Sequence, residues 1–155
     1  MRGNEMTIDQ FWTLFCEQTK RDPSTKYLSV FHFELTEKWA DELLQLVLSG
    51  KKRATASSLW SFELEGMEIP RAGDLSIVTD WAGNPRCVIE TTTVTILPFD
   101  EMTFDICQRE GEDDCLESWV DGHRRFFSNE GALMGYSFSE TMPIVFEEFE
   151  VIYQM

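Results

Sequence analysis

Positive charge is scarce in this sequence of 155 residues. The chain has 13 lysines and arginines against 28 aspartates and glutamates, which gives a net charge of −15. Extended binding along a nucleic acid requires many lysines and arginines to neutralise phosphates. We therefore expect no extended, sequence-independent binding to duplexes or long single strands. The acidic excess is otherwise typical of a solvated surface that keeps a protein soluble.

Patterns for metals, disulfides and membranes are also missing. The four cysteines are scattered without a Cys-x-x-Cys pair, and neither histidine lies at ligand spacing from a cysteine. We therefore expect no metal and no cofactor, and most of the thiols should be buried apolar groups. No apolar run approaches the roughly 20 residues that span a bilayer. The N-terminal segment does not read as a signal peptide, so we expect a cytoplasmic protein without a membrane partner.

The apolar content of the chain suits a packed core. Hydrophobic residues make up 43% of the sequence and aromatic residues 13%. The length is about that of a single domain. One compact unit is therefore predicted, with residues 1–25 as an N-terminal helical extension and residues 26–155 as the main domain.

Hydrophobic spacing predicts four helices and several strands. A capping-box pattern begins at Thr7, and Gly50 ends the second helix. Residues 27–33 are ambiguous between a strand and an extended linker. The predicted helices cover residues 7–20, 36 or 37 to 50, about 101–109, and 113–128. The predicted strands cover residues 58–63, 75–80, 86–97 and 144–153.

This mixture predicts the α+β class, because strands with helices at their openings suit a small, partly open barrel.

The loop after the second predicted helix concentrates the few cations. Lys51, Lys52 and Arg53 follow Gly50 directly, and Thr55 lies close behind them. Loops held by a rigid scaffold are a common place for binding and catalytic groups. A second interpretation is that these cations simply meet the negative end of the helix dipole. A Walker phosphate loop is excluded, because neither its first glycine nor the hydroxyl residue after its lysine is present.

The order of Gly50, Lys52 and Thr55 resembles the signature Gly-x-Lys-x-x-Thr of the ASCH domain. The resemblance runs from about Phe31 to the C-terminus and fits the longer bacterial version of the family. Three further segments carry it: Pro70 to Asp74, Cys87 to Thr92, and Trp119 to His123. It implies a PUA-like fold, a small mixed β-barrel with flanking helices, and it makes residues 26–155 the ASCH domain.

The resemblance also implies a catalytic site of Lys52, Thr55 and Glu90. A bacterial ASCH amidohydrolase of acetylated cytidine has Lys, Thr and Glu at what look like matching positions. In that reading Thr55 attacks the acyl carbonyl, Lys52 takes its proton, and Glu90 orients the lysine or the substrate amide. A lysine base must be desolvated to lower its pKa, and a nearby glutamate opposes this. Strand alternation leaves open whether Glu90 lies on the buried face.

Five residues are predicted to bind substrate: Arg53, Trp60, Arg71, His123 and Arg124. Trp60 would stack on a base, with core packing as the alternative. His123 and Arg124 lie on an acidic insertion and would supply a hydrogen bond or a phosphate contact. For His123, a core position on the apolar face of its helix is the other interpretation.

The best functional hypothesis is an amidohydrolase of an acylated, modified nucleoside, with a threonine nucleophile and a lysine base. The alternatives are a noncatalytic RNA- or nucleotide-binding module, a metal-independent ribonuclease, and a protein-interaction domain. The expected partner is a nucleoside, a nucleotide or a short single-stranded RNA. The sequence predicts no oligomeric state.

Overall fold

A computed structural model describes residues 6–154 as a mixed structure of helices and strands. Residues 1–5, where the predicted N-terminal extension begins, and residue 155 lie outside the described range. The elements, in chain order, are α1 (Ile8–Gln18), β1 (Ser29–Phe31), α2 (Glu37–Leu48), β2 (Ala54–Ser58), α3 (Leu59–Glu65), β3 (Leu75–Thr79), β4 (Pro85–Pro98), α4 (Phe104–Cys107), α5 (Leu116–Met134) and β5 (Pro143–Gln154). Short 3₁₀ turns over Phe99–Glu101 and Gln108–Glu110 flank α4.

The five strands form one curled sheet in the order β1-β3-β4-β5-β2. The β1–β3 pair is parallel, and the other pairs are antiparallel. The long β4–β5 pairing shifts register between Val88 and Ile89 and again between Thr91 and Thr93. Such irregularities bend strands and increase their twist. The sheet is therefore a half-barrel, and the predicted α+β class is confirmed.

Alternate side chains of the sheet pack against different helices. Ile77 and Val88 lie in one buried cluster with Phe11 of α1. Val78 and Ile89, the next residues along the same strands, lie in another cluster with residues of α2. Each fully buried side chain of this size contributes about 1.5–3 kcal/mol. The sheet thus has an α1 face and an α2 face, both covered.

A third buried cluster joins α5 to β2 and β5. Trp119 and Phe127 of α5 pack there with Ala54, Ile144 and Phe146. This packing fixes α5 beside the start of β2, close to the loop that follows α2.

Although α5 has 19 residues, none of the described helices is both long and apolar enough to cross a membrane.

Most of the predicted elements are confirmed, and two are wrong. The helices over 7–20 and 36–50 and the strands over 75–80, 86–97 and 144–153 are present with shifted ends. The strand predicted over 58–63 is instead the end of β2 and the helix α3, because the Ser58 hydroxyl accepts from the Trp60 N–H and caps a helix. The helix predicted over 101–109 is broken into α4 and two 3₁₀ turns. The helix predicted over 113–128 is α5, which ends later, at Met134.

Candidate functional site

Lys52 is the side chain around which the site is built. It lies between α2 and β2, and its backbone N–H donates to the Leu46 carbonyl at 3.0 Å. Gly50 ends the helix with a φ of +82°, a conformation that glycine adopts without strain. After this turn the Lys52 side chain is buried, with 1% of its surface exposed.

Three acceptors surround the buried ammonium group. Nζ of Lys52 donates to the Ala54 carbonyl at 2.8 Å, to Glu112 Oε2 at 2.5 Å and to Glu110 Oε1 at 3.4 Å. Burial by itself lowers the pKa of Lys52, but the Glu112 and Glu110 carboxylates together raise it above its ordinary value. Lys52 is therefore charged and fully hydrogen-bonded at neutral pH.

Gly111 allows the two carboxylates to approach the lysine. Its φ is +70°, and a Cβ atom at this position would lie 2.2 Å from the Lys51 carbonyl oxygen. A residue with a side chain therefore does not fit this turn without displacing backbone. The Arg53 N–H also donates to the Arg109 carbonyl at 3.0 Å, which ties the two loops together.

Glu110 is a buried, ionised carboxylate with partners on two elements. It accepts from the Trp119 indole N–H and from Lys52, and His123 Nε2 lies 3.4 Å from its Oε1. Burial alone would raise the pKa of Glu110. The charges of His123 and Lys52, together with these hydrogen bonds, outweigh burial and lower the pKa to about 2. The group therefore stays ionised throughout the neutral range.

His123 completes the network from α5. Its Nδ1 lies 2.9 Å from the Trp119 carbonyl oxygen, and because a carbonyl only accepts, Nδ1 carries a hydrogen. The imidazole stacks on the Trp119 indole with ring centroids 4.1 Å apart. Burial lowers the pKa of His123, but the neighbouring Glu110 more than reverses this and raises it above 6.5. His123 is thus packed beside the core and ion-paired at the same time.

Glu112 is the most exposed member of this network, with 20% of its side chain exposed. Burial raises the pKa of Glu112, and the Lys52 charge opposes this only in part. A base with a pKa closer to neutral is better matched to proton transfer at neutral pH. Glu112 is therefore the group of the network best suited to exchange a proton with a ligand.

A cavity of about 830 Å³ opens beside the network, and we call it the lysine cavity. Thr55 lines it together with Lys52, Glu112 and His123. The other charged residues of its lining are Glu34, Glu42, Glu110, Asp113, Asp121 and Arg125. This excess of carboxylates repels phosphates and suits an uncharged or cationic ligand.

Among residues 6–154, no three His, Cys, Asp or Glu side chains are grouped so as to hold a metal ion.

A second cavity, of about 500 Å³, adjoins the first, and we call it the glutamate cavity. Phe33, Thr55 and Phe126 line both cavities. Thr55 of β2 pairs with Glu147 of β5 in the antiparallel register, and such partners present their side chains on the same face. Glu147 also lines the glutamate cavity. Thr55 therefore lies where the two cavities meet.

Glu90 is not brought together with the other two members of the predicted catalytic trio. Along β4 it alternates with Ile89 and Thr91 and shares the face of Val88, which packs against α1. The Thr91 hydroxyl, on the opposite face, donates to Glu147 at 2.6 Å. Glu90 lines neither cavity. Glu90 is therefore the member of the predicted catalytic trio that lies outside both cavities.

Glu110 and Glu112 are the site residues that the sequence analysis missed. They belong to residues 100–155, which hold 14 acidic and 3 basic residues and whose acids are interpreted above as solvated surface. The available signal was the triplet Glu110-Gly111-Glu112. A glycine between two acids ahead of a predicted helix indicates a tight turn that holds both carboxylates on one loop.

The predicted arginines all lie outside both cavities. Arg53 and Arg71 are exposed, and neither contributes to a cavity lining. The Arg124 guanidinium pairs with Glu140 at 2.9 Å on the protein surface. Its neighbour Arg125 lines the lysine cavity instead.

Of the remaining two predicted binding residues, one lies at a cavity. His123 lines the lysine cavity. Trp60 lines neither cavity and packs against the α5 cluster, with its ring edge-on to Tyr136 at a centroid distance of 5.8 Å. The core-packing alternative therefore describes the position of Trp60.

The curled sheet and its flanking helices form a PUA-like α+β domain, and a cavity opens at the buried lysine after α2. The family model of the ASCH domain matches residues 29–153. The chain therefore belongs to the ASCH domain family, which confirms the resemblance and the predicted PUA-like fold.

Two solved structures are similar over most of the chain. A protein from Enterococcus faecalis V583 is 33% identical with a TM-score of 0.84, over 94% of this chain and 87% of that one. The ASCH domain from Lactobacillus crispatus JV V101 is 32% identical with a TM-score of 0.81, over 99% and 100% of the two chains. A mutant ASCH protein from Zymomonas mobilis, 11% identical with a TM-score of 0.50 over 83% and 75%, shares the fold alone. Comparison with curated proteins gives no significant match.

Proposed function

We propose that the protein hydrolyses the amide bond of an N-acylated nucleoside, with the Thr55 hydroxyl as the nucleophile. The observation that carries this proposal is the position of Thr55, which lies between two cavities and shares one of them with Lys52 and Glu112. A hydroxyl nucleophile needs a base nearby to take its proton. The same cavity supplies a carboxylate with a raised pKa for that purpose.

Glu112, rather than the predicted Lys52, is the base in this proposal. The Lys52 ammonium already donates to three acceptors, and its pKa is raised. A proton lost from Lys52 would leave Glu110 and Glu112 buried without their shared cation, which is costly. The function of the lysine is then to hold Glu112 in position and to balance the two carboxylates.

The proposed reaction consumes one water molecule and restores every group. Thr55 Oγ1 bonds to the acyl carbon while its proton passes to Glu112, which delivers it to the leaving nitrogen as the C–N bond breaks. Water then attacks the threonine ester, and Glu112 takes the proton of the water. That proton returns to Oγ1 as the C–O bond breaks, so the products are a carboxylic acid and an amine.

The charge of the lysine cavity favours a nucleoside over a nucleotide or an RNA strand. Its lining carries more carboxylates than cations, and a phosphate in this cavity would be repelled. Arg124, which was predicted to supply a hydrogen bond or a phosphate contact, lies outside it. RNA binding, proposed for ASCH domains, is therefore the second hypothesis for this chain.

The test is hydrolysis of a panel of acylated nucleosides that includes acetylcytidine, followed as release of the free nucleoside. Thr55→Val removes the hydroxyl and nearly keeps the shape of the side chain. We expect it to lower kcat by about a thousandfold or more, because loss of a nucleophile removes most of the chemical rate. Thr95→Val, an exposed change on β4 outside both cavities, is the matched control and should keep full activity.

Two results would contradict this function. Equal turnover by the Thr55→Val variant would exclude threonine as the nucleophile. No turnover by the native protein, together with salt-sensitive binding or cleavage of a short RNA, would favour the RNA-binding or ribonuclease hypothesis.

A further inference from the structure

Glu147 is a buried carboxyl group that the proposed reaction does not use. Only 9% of the residue is exposed. Its Oε2 accepts from the Thr91 hydroxyl at 2.6 Å, and no other donor within residues 6–154 bonds to it. No fully buried side-chain oxygen in that part of the chain lacks a partner. The second oxygen, Oε1, therefore keeps some accessible surface, and Glu147 lines the glutamate cavity.

The surroundings of Glu147 favour a neutral carboxyl group. Burial raises its pKa, and the nearby Asp74 carboxylate adds to this, while the Thr91 hydrogen bond opposes it. No cation of the described chain forms an ion pair with it, in contrast to Glu110 and Glu112. A protonated carboxyl group offers one donor and one acceptor side by side.

The glutamate cavity suits a flat heterocycle. Its volume of about 500 Å³ lies within the range of small-molecule sites. Four phenylalanines contribute to its lining: Phe31, Phe33, Phe62 and Phe126. Aromatic side chains are the surfaces on which unstacked bases commonly lie.

We propose that the glutamate cavity is the subsite for the base of the substrate, and that Glu147 selects bases with an amidine edge. In such an edge, as in cytosine or adenine, a ring nitrogen acceptor adjoins an exocyclic N–H donor. The carboxyl O–H would donate to the ring nitrogen, and the carboxyl oxygen would accept from the exocyclic N–H. This inference rests on the proposed function, because the exocyclic nitrogen carries the acyl group that Thr55 attacks.

The β2–β5 pairing gives this arrangement the required spacing. Thr55 and Glu147 are directly paired residues, and side chains at such positions have Cβ atoms about 4.5–5.5 Å apart. A base held by Glu147 therefore has its exocyclic nitrogen near the Thr55 hydroxyl. The acyl group on that nitrogen then extends toward the lysine cavity and Glu112.

The experiment compares acetylcytidine with its deaza analogue. In this analogue a C–H group replaces the ring nitrogen that is bonded to the carbon bearing the acylated exocyclic nitrogen. We expect the native protein to prefer acetylcytidine by about 10- to 100-fold in kcat/KM, since a site that hydrogen-bonds a group rejects analogues without it. Glu147→Gln still offers a donor and an acceptor and should keep this preference. Glu147→Leu offers neither and should reduce it to within about threefold.

Two further variants make the comparison robust. Glu150→Leu removes an exposed carboxylate from the same strand and should leave the preference unchanged. If Glu147→Leu does not fold, Glu147→Asp replaces it, because the shorter side chain withdraws the carboxyl group and should also lose the preference. An unchanged preference in the folded Leu or Asp variant would overturn the inference.

Binding separates this inference from the proposed function. Calorimetric titration with cytidine and its deaza analogue requires no catalysis. A preference for cytidine that Glu147→Leu abolishes would support the subsite even if no acylated nucleoside is hydrolysed. Turnover of acetylcytidine without any preference over the deaza analogue, in binding or in rate, would overturn the subsite and leave the proposed hydrolysis standing.

Discussion

At the scale of single residues, Lys52 belongs to a closed set of buried charges. Lys52 and His123 supply positive charge, and Glu110 and Glu112 supply negative charge. Each buried ion is costly by itself, so the set is stable only while both signs are present. The loss of one member therefore leaves the remaining buried charges with a desolvation penalty that is no longer offset by a partner.

The first prediction concerns this dependence. Lys52→Met keeps the length of the side chain and removes its charge, which leaves two carboxylates without their shared cation. We expect the free energy of unfolding at pH 7 to fall by about 3–5 kcal/mol. Urea denaturation measures it. Lys51→Met, an exposed change one residue earlier, should alter stability by no more than about 0.5 kcal/mol.

The pH dependence provides a second readout of the same change. At lower pH Glu112, whose pKa is raised, becomes protonated, and the unpaired negative charge left by Lys52→Met decreases. The destabilisation should therefore shrink as the pH is lowered from 7 to 5. A Lys52→Met variant as stable as its Lys51→Met counterpart would show that the cluster contributes nothing to stability.

Residues within a few positions of each other were the predictable part of the site. Lys52 and Thr55 lie on one short loop and strand, so the sequence placed them close together, and the family resemblance implied that they act together. Glu110 comes from a segment 58 positions away from Lys52. Only its tertiary contacts with Lys52 and with Trp119 and His123 of α5 distinguish it from the acids that stay in solvent. The face of Glu90 stayed open because strand alternation does not say which face is buried.

At the scale of elements, local capping explains the starts of the first two helices. Thr7 and Thr36 accept hydrogen bonds from N–H groups of the first helical turns that follow them, and both helices were predicted near their true starts. Ser58 makes the same contact, but the aromatic residues after it favoured a strand in the sequence. A short helix of seven residues has too little periodicity to outweigh that preference.

The glycines of α5 give the second prediction. A Cβ atom at Gly131 would lie 2.3 Å from the Tyr136 carbonyl oxygen, where the chain folds back after the helix. Gly122, in the same helix, has no such neighbour within 4 Å. Gly122→Ala should stabilise the protein by about 0.5–1 kcal/mol through helix propensity. Gly131→Ala should destabilise it by about 1–3 kcal/mol through the clash.

Thermal and urea unfolding of the two alanine variants measure this difference. Because the intrinsic gain in helix propensity is common to both, their difference isolates the contact with Tyr136. Stabilisation of equal size in both variants would mean that the return after α5 does not require close approach at Gly131.

At the scale of the whole molecule, charge is unevenly distributed along the chain. Residues 100–155 hold 14 acids against 3 bases, whereas residues 50–99 hold 6 against 5. The acid-rich part supplies Glu110 and Glu112 to the lysine that the more balanced part provides. The site is therefore an electrostatic contact between two segments, and its strength must vary with pH.

The third prediction follows from two ion-paired groups, Glu110 and His123, whose pKa values shift in opposite directions. The pKa of Glu110 is about 2 instead of 4.5, so its contribution to stability is present above 4.5 and is lost as the pH falls toward 2. The pKa of His123 is raised above 6.5, so its contribution is present below 6.5 and is lost as the pH rises through the raised value. Both contributions are complete only between pH 4.5 and 6.5.

Thermal unfolding from pH 3 to 9 should therefore show a maximum Tm in that window. The half-buried Glu112 and the buried Glu147 have raised pKa values, so their contributions to stability are complete only below 4.5 and are lost as the pH rises through the raised values. They therefore move the maximum toward the acidic side of the window. His123→Gln removes one titrating group and should flatten the decline above pH 6.5 without removing the loss below pH 4.5. Parallel profiles for the native protein and this variant would show that His123 and Glu110 are not coupled in the folded state.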